Sequence, residues 1–171
     1  MFEDETYLAR ADWPLLQNGA VNLFWSPQIQ REAQQALSEL GYEVSVVSCE
    51  DGWERFREQF SSLLNWEEQF GYSPWSGNLD ALNDGLSGYP FGPSRRAALA
   101  LTGFHALVRT DKKASHIILD LLESHARDHL LFGRVLIMLV QTDDNRFECA
   151  EVGGRHPVWN RRESFDRNRG L

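Results

Sequence analysis

Cysteine is scarce in these 171 residues: Cys49 and Cys149 stand alone, in no CxxC or other metal-type spacing. That argues against a disulfide framework and fits reduced thiols in a cytoplasmic protein. Long apolar runs are missing too. The longest stretch, 130–140, is interrupted by Arg134 and is too short to span a bilayer. The first residues, Met-Phe-Glu-Asp-Glu, are acidic where a secretory leader is basic and then apolar, so a cytoplasmic location is expected. Catalytic signatures are equally sparse. His125 and His129 have the i, i+4 spacing of two zinc ligands, but Ala126-Arg127-Asp128 between them lacks the general-base glutamate of HExxH, and no third ligand is evident. His105, His116 and His156 adjoin no serine or cysteine in a nucleophile motif. No glycine cluster, Gly153-Gly154 included, has phosphate-loop spacing. No enzymatic activity, metal or cofactor is expected.

Positive charge is the other shortage. Residues 1–94 hold 15 Asp and Glu against 4 Arg, a net of −11, within a chain whose total is −8. From residue 58 to residue 94 there is no Lys, Arg or His at all. An acidic half repels nucleic-acid phosphates and anionic membranes and attracts basic partners, so direct binding to DNA, RNA or a membrane is disfavoured. What is present is an ordinary globular composition, 42% hydrophobic and 25% charged, long enough for one sizeable core.

The apolar pattern alternates between strand and helix. Residues 20–25 are rich in strand formers, and Ser26-Pro27 then offers an N-cap followed by proline at the first helical position. Ile29, Ala33, Ala36, Leu37 and Leu40 recur at helical spacing up to Gly41. Residues 42–49 read as a second strand. Asp51-Gly-Trp-Glu54 resembles a capping box for a helix with Trp53, Phe56, Phe60, Leu63 and Leu64 on its apolar side. Residues 95–101 read as a buried strand and 102–113 as irregular with one helical turn. A helix capped by Ser115 is expected to carry Ile117, Ile118, Leu121, Leu122 and Leu130 and to stop at Gly133. The run 134–141 suits a strand covered on both faces, and 147–152 is read as a short edge strand. Strands alternating with helices predict an α/β domain whose small sheet is mainly parallel, of about four strands, packed with helices. No composition break or repeat divides it, so residues 1–171 are read as one domain.

One segment stands out against this background: Tyr72-Ser-Pro-Trp-Ser-Gly-Asn-Leu-Asp-Ala-Leu-Asn-Asp-Gly-Leu-Ser-Gly-Tyr89. Leu79, Leu82 and Leu86 share one face of a short helix, and Asp80, Asp84 and Ser87 share another. Like charges at i, i+4 mildly destabilise their own helix, and no cation lies within helical reach. The missing counter-charge is therefore expected on another molecule. Two carboxylates on adjacent turns of a convex helix suit display to a partner better than catalysis across a cleft. Tyr72, Trp75 and Tyr89 flank the helix in loops, either as interface anchors or as core residues.

The stretch Trp75-Ser76-Gly77-Asn78-Leu79-Asp80-Ala81-Leu82-Asn83-Asp84-Gly85-Leu86-Ser87-Gly88-Tyr89 resembles the signature segment of the barstar family, intracellular inhibitors of barnase-type ribonucleases. The wider resemblance covers about residues 42–141, with extensions at 1–41 and 142–171 like those of longer members. It implies a two-layer α/β fold. It also implies that Asp84 matches the carboxylate that enters the nuclease active site, meeting its phosphate-binding arginines and catalytic histidine. Asp80, Asn78, Ser87, Gly88 and Tyr89 match further contact positions. Asn83 stands where the best-known member has tryptophan, and Ser76-Gly77 where a Gly-acidic pair is usual. Arg127 and Asp128 both fall near the place of a glutamate that some members contribute. The expected partner-facing set is thus Asp84, Asp80, Asn78, Ser87, Gly88, Tyr89, Asn83, Trp75, Ser76 and Tyr72, and the expected partner a basic ribonuclease or related toxin. Two alternatives stay open: a non-inhibitory interaction module or immunity protein against a different basic toxin, and a small hydrolase that would need metal at His125 and His129.

Overall fold

The structure, a computed structural model, describes residues 10–171; the acidic first five residues lie outside that range. In chain order the elements are α1 (Asp12–Leu16), β1 (Val21–Phe24), α2 (Pro27–Glu39), β2 (Glu43–Ser48), α3 (Gly52–Leu63), α4 (Trp66–Phe70), α5 (Leu79–Ser87), β3 (Arg96–Thr102), α6 (His105–Thr110), α7 (Lys112–Leu130), β4 (Val135–Gln141) and β5 (Val158–Trp159). A single 3-10 turn, Asp166–Arg169, follows. The strands form one sheet in the order β2-β3-β4-β1-β5, and every pairing is parallel. Among the described residues, no helix is long and apolar enough to cross a membrane.

The central strands β3 and β4 are buried on both faces, which explains the unbroken apolar run of β4. Leu136, Met138 and Val140 point into one core with Leu99, Leu101, Phe56, Phe60, Leu82, Leu86 and Leu122. Ile137 and Leu139 point into a second core with Ala98, Ala100, Phe24 and Leu37. The elements from β2 to β4 place all their helices on the first face, a two-layer unit. The preceding segment adds β1 beside β4 and lays α2 across the second face. Ser26 starts α2 as expected, its side chain accepting from the Ile29 N–H at 3.3 Å, with Pro27 at the first position.

Two buried glutamates tie the extensions to the sheet. Glu123 on α7 accepts hydrogen bonds from the Ala20 and Val21 amides, at 2.8 and 2.9 Å. Glu163, in the tail, accepts from the Trp25 and Ser26 amides, at 3.1 and 2.7 Å. Each carboxylate supplies acceptors for amides next to β1 that no neighbouring strand serves.

Four local expectations are corrected. Asp51 makes no capping bond, because its backbone (φ −83°, ψ 10°) is not the extended conformation that aims a cap side chain at the helix amides. The long helix begins at Lys112, where Asp111 caps it by accepting from the Ala114 N–H at 2.9 Å. Ser115 lies inside, its hydroxyl donating back to the Asp111 carbonyl at 2.7 Å. Within 102–113, the one helical turn expected there extends to a six-residue helix, α6. Residues 147–152 form no strand: their stretch crosses α7, where the Gly153 N–H donates to Asp120 at 2.7 Å. Val152 makes only an isolated bridge to Arg155. The edge strand is β5, which pairs with β1.

Candidate functional site

The segment singled out by its charge folds as α5. Asn78 is its N-cap, the side-chain oxygen accepting from the amides of Asp80 and Ala81 at 2.9 and 3.1 Å. Gly77, at φ +97°, makes the left-handed turn that delivers the chain to this cap. The Arg57 guanidinium of α3 donates to the Ser76 carbonyl at 3.0 Å and steadies the same turn. The indole N–H of Trp75 donates to the Asn78 carbonyl at 2.7 Å, and the Trp75 amide donates to the Ser61 hydroxyl at 2.7 Å. The loop into α5 is thus held by hydrogen bonds at successive positions.

The two faces of the helix divide as their spacing predicts. Leu82 and Leu86 are fully buried, and Leu79 packs partly against the same core. Gly85 completes this buried face for a steric reason: a Cβ there would lie 2.6 Å from Cζ3 of Trp66. Trp66 belongs to the one-turn helix α4, and its ring packs at a tilt of 31° against Phe70 with centroids 4.4 Å apart and approaches Trp75 at 6.1 Å. This aromatic floor carries α5. On the opposite side Asp80, Asn83, Asp84, Ser87 and Gly88 are exposed. Asp80 and Asp84 have no salt-bridge partner among the described residues, as the missing local cations predicted.

The flanking aromatics split. Tyr72 is 44% exposed, with its ring edge-on to Trp66 at 6.2 Å. Trp75 and Tyr89, 1% and 5% exposed, are core residues, and Tyr89 packs on Phe91 at 4.9 Å. Their side chains support the surface from beneath and offer little area to a partner.

The histidine pair of α7 lies against this helix. His125 Nε2 is 3.0 Å from Asn83 Oδ1, and His129 Nε2 is 3.0 Å from the Leu86 carbonyl oxygen. Both imidazoles are buried, and desolvation holds each pKa below the ordinary histidine value. For His125 the neighbouring His129 adds to the lowering; for His129 Arg134 does. Arg127 turns away to donate to the Gly153 carbonyl of the tail, while Asp128 stays exposed. These supports were missed from sequence. The available signal was that His125 and His129, at i, i+4, match the stagger of Asn83 and Leu86 at i, i+3.

The resulting surface is convex and acidic, rich in hydrogen-bond acceptors and fixed from behind. Such a surface can offer carboxylates to arginine or lysine in charge-assisted bonds. Against known proteins, residues 43–141 match the family described as Barstar (barnase inhibitor), well over half of the chain. No match was found among the curated proteins.

Proposed function

The chain belongs to the barstar family, the barnase inhibitors, and from that premise we propose that it blocks the active site of a basic ribonuclease with α5 and its flanking loops. Members of the family are inhibitors, not enzymes. The observation that carries the reading is the pair Asp80 and Asp84, exposed on a rigidly supported helix without a cation of their own. In this reading Asp84 takes the place of the scissile phosphate, where a ribonuclease already gathers positive charge. Asp80 and Ser87 bind beside it, and the backbone of Asn78, Gly88 and Tyr89 shapes the rim. Ser76 and Tyr72 form the outer contact, with Trp75 as the buried support. The net −11 of residues 1–94 would speed encounter with a basic enzyme. Of the two residues near the place of the family's additional glutamate, Asp128 is the one free to serve, since Arg127 is bound to the tail. We read the whole chain as one domain acting in the cytoplasm, where Cys49 and Cys149 stay reduced.

A second reading keeps the surface and changes the target. Asn83 in place of an aromatic, and the uncharged Ser76-Gly77, remove contact area and charge, which favours a different basic toxin or a binding role without inhibition. The test is to titrate the purified protein into a barnase-type ribonuclease while following RNA cleavage. Loss of cleavage at one equivalent supports inhibition. Complex formation that leaves cleavage intact favours the second reading.

A further inference from the structure

The contact between α7 and α5 fixes more than the position of the acidic helix. A carbonyl oxygen carries no proton, so in the 3.0 Å contact between His129 and Leu86 the imidazole Nε2 must donate. His125 faces Asn83 in the same way, one turn earlier, with Nε2 toward the side-chain carbonyl Oδ1. Both rings are buried, at 7% and 4% exposure. Burial keeps them neutral, so that each carries its proton on Nε2. With Oδ1 engaged from behind, the other end of the Asn83 amide is committed as well. Its Nδ2 makes no hydrogen bond among the described residues, on an exposed residue between Asp80 and Ser87 and next to Asp84. Two neutral N–H donors are therefore presented beside the carboxylates of Asp80 and Asp84, which only accept.

We propose that His125 is a specificity-determining positioning residue: by holding Asn83 Oδ1 it turns the amide N–H groups outward, so that α5 selects a partner presenting a hydrogen-bond acceptor, a backbone carbonyl or a carboxylate, beside the cations that meet Asp80 and Asp84. This rests on the reading of α5 as the partner surface. It distinguishes this chain from one relying on charge alone, because any basic protein satisfies two aspartates, whereas few place an acceptor between the cations that do so.

Two experiments test it and fail separately. In the free protein, the imidazole nitrogen shifts of 15N-labelled His125 should report the neutral Nε2–H tautomer at pH 7. The Nδ1–H tautomer would mean that the amide is reversed, and would overturn the proposal without touching the ribonuclease reading. For binding, Asn83→Asp is nearly isosteric and adds negative charge. Charge alone predicts tighter inhibition of a barnase-type ribonuclease, whereas a reversed donor predicts weakening of about 10-fold, the upper range for one lost neutral hydrogen bond. His125→Gln keeps an N–H donor at the Nε2 position and should inhibit within about 3-fold of the parent, while His125→Phe, lacking the donor, should lose about as much as Asn83→Asp. Unchanged or tighter inhibition by folded Asn83→Asp refutes the proposal. Should the parent inhibit no such enzyme, the functional reading falls, and the tautomer still decides whether His125 orients Asn83.

Discussion

Gly85→Ala sets two effects of known size against each other inside α5. Alanine is favoured over glycine in a helix interior by about 1 kcal/mol. Against this, the new Cβ would stand 2.6 Å from Cζ3 of Trp66 and 3.3 Å from Cε3 and Cη2. Trp66 is 1% exposed and hemmed in by Phe70, Trp75 and Tyr72, so the ring can retreat only by moving other aromatics. Overpacking a filled core costs about 1–3 kcal/mol, and a rigid, backed ring places this site in the upper half of that range. The net expectation is a destabilisation of about 1–2 kcal/mol, since the helix preference offsets part of the clash. For a chain of this length that corresponds to a melting temperature lower by about 2–8 °C. Thermal unfolding followed by circular dichroism measures it. Gly88→Ala is the companion: its Cβ would press on the amide end of Gln69, an exposed side chain held by hydrogen bonds to the Leu64 and Gly85 carbonyls and not backed by buried rings, and should cost less. A Gly85→Ala protein as stable as the parent, or more stable, would refute the idea that the helix rests on a fixed aromatic floor.

Glu123→Ala should be among the costliest single changes away from α5. It leaves the Ala20 and Val21 amides without an acceptor, at about 1–3 kcal/mol for each buried group, whereas Glu123→Gln retains an oxygen for both amides and should cost less; urea denaturation separates the two. Acid should weaken the fold through the histidine pair. Their folded pKa values lie below the ordinary 6.5, so the unfolded chain binds more protons, and stability is greatest above pH 6.5 and falls as pH drops below it. Denaturation midpoints between pH 7.5 and 5.5 should show this decline, and replacing both histidines by glutamine should flatten it. Asp80→Asn, which removes charge at constant shape, should slow association with a basic ribonuclease and reduce its salt dependence, as stopped-flow mixing would read.

The sequence was most informative where one physical signal acted alone. The apolar run of β4 suited a strand buried on both faces, and the leucine and aspartate stripes of α5 separate as their spacing predicted. The cap of that helix was not read from sequence: Asn78 was expected only as a contact position, and the structure shows its side chain accepting from the Asp80 and Ala81 amides. Legibility failed where two signals competed or the partner was distant in sequence. Asp111 and Ser115 are both cap residues, and which one starts α7 is decided by α6 ending just before Asp111. The single-turn helix α4 is bounded by Asn65 and Gly71, both left-handed, which no apolar period announces. A two-residue strand such as β5 is too short to alternate. Glu123 and Glu163 look like surface charges until the amides around β1 are found without strand partners. The histidines 125 and 129 were weighed only as metal ligands and set aside, and that their spacing also suits packing alongside another helix went unread.

Asp84 is the group proposed to occupy the ribonuclease active site. Its most direct test is RNA hydrolysis by a barnase-type ribonuclease titrated with the parent and with Asp84→Ala, alongside thermal unfolding of both. Asp84 is exposed, with no salt-bridge partner among the described residues, and its removal relieves a like-charge contact with Asp80, so stability should stay within about 0.5 kcal/mol of the parent. Inhibition should weaken by about 30- to 4,000-fold, the equivalent of the roughly 2–5 kcal/mol lost when one member of a desolvated charge pair is truncated. A folded Asp84→Ala protein that inhibits as well as the parent would contradict the account.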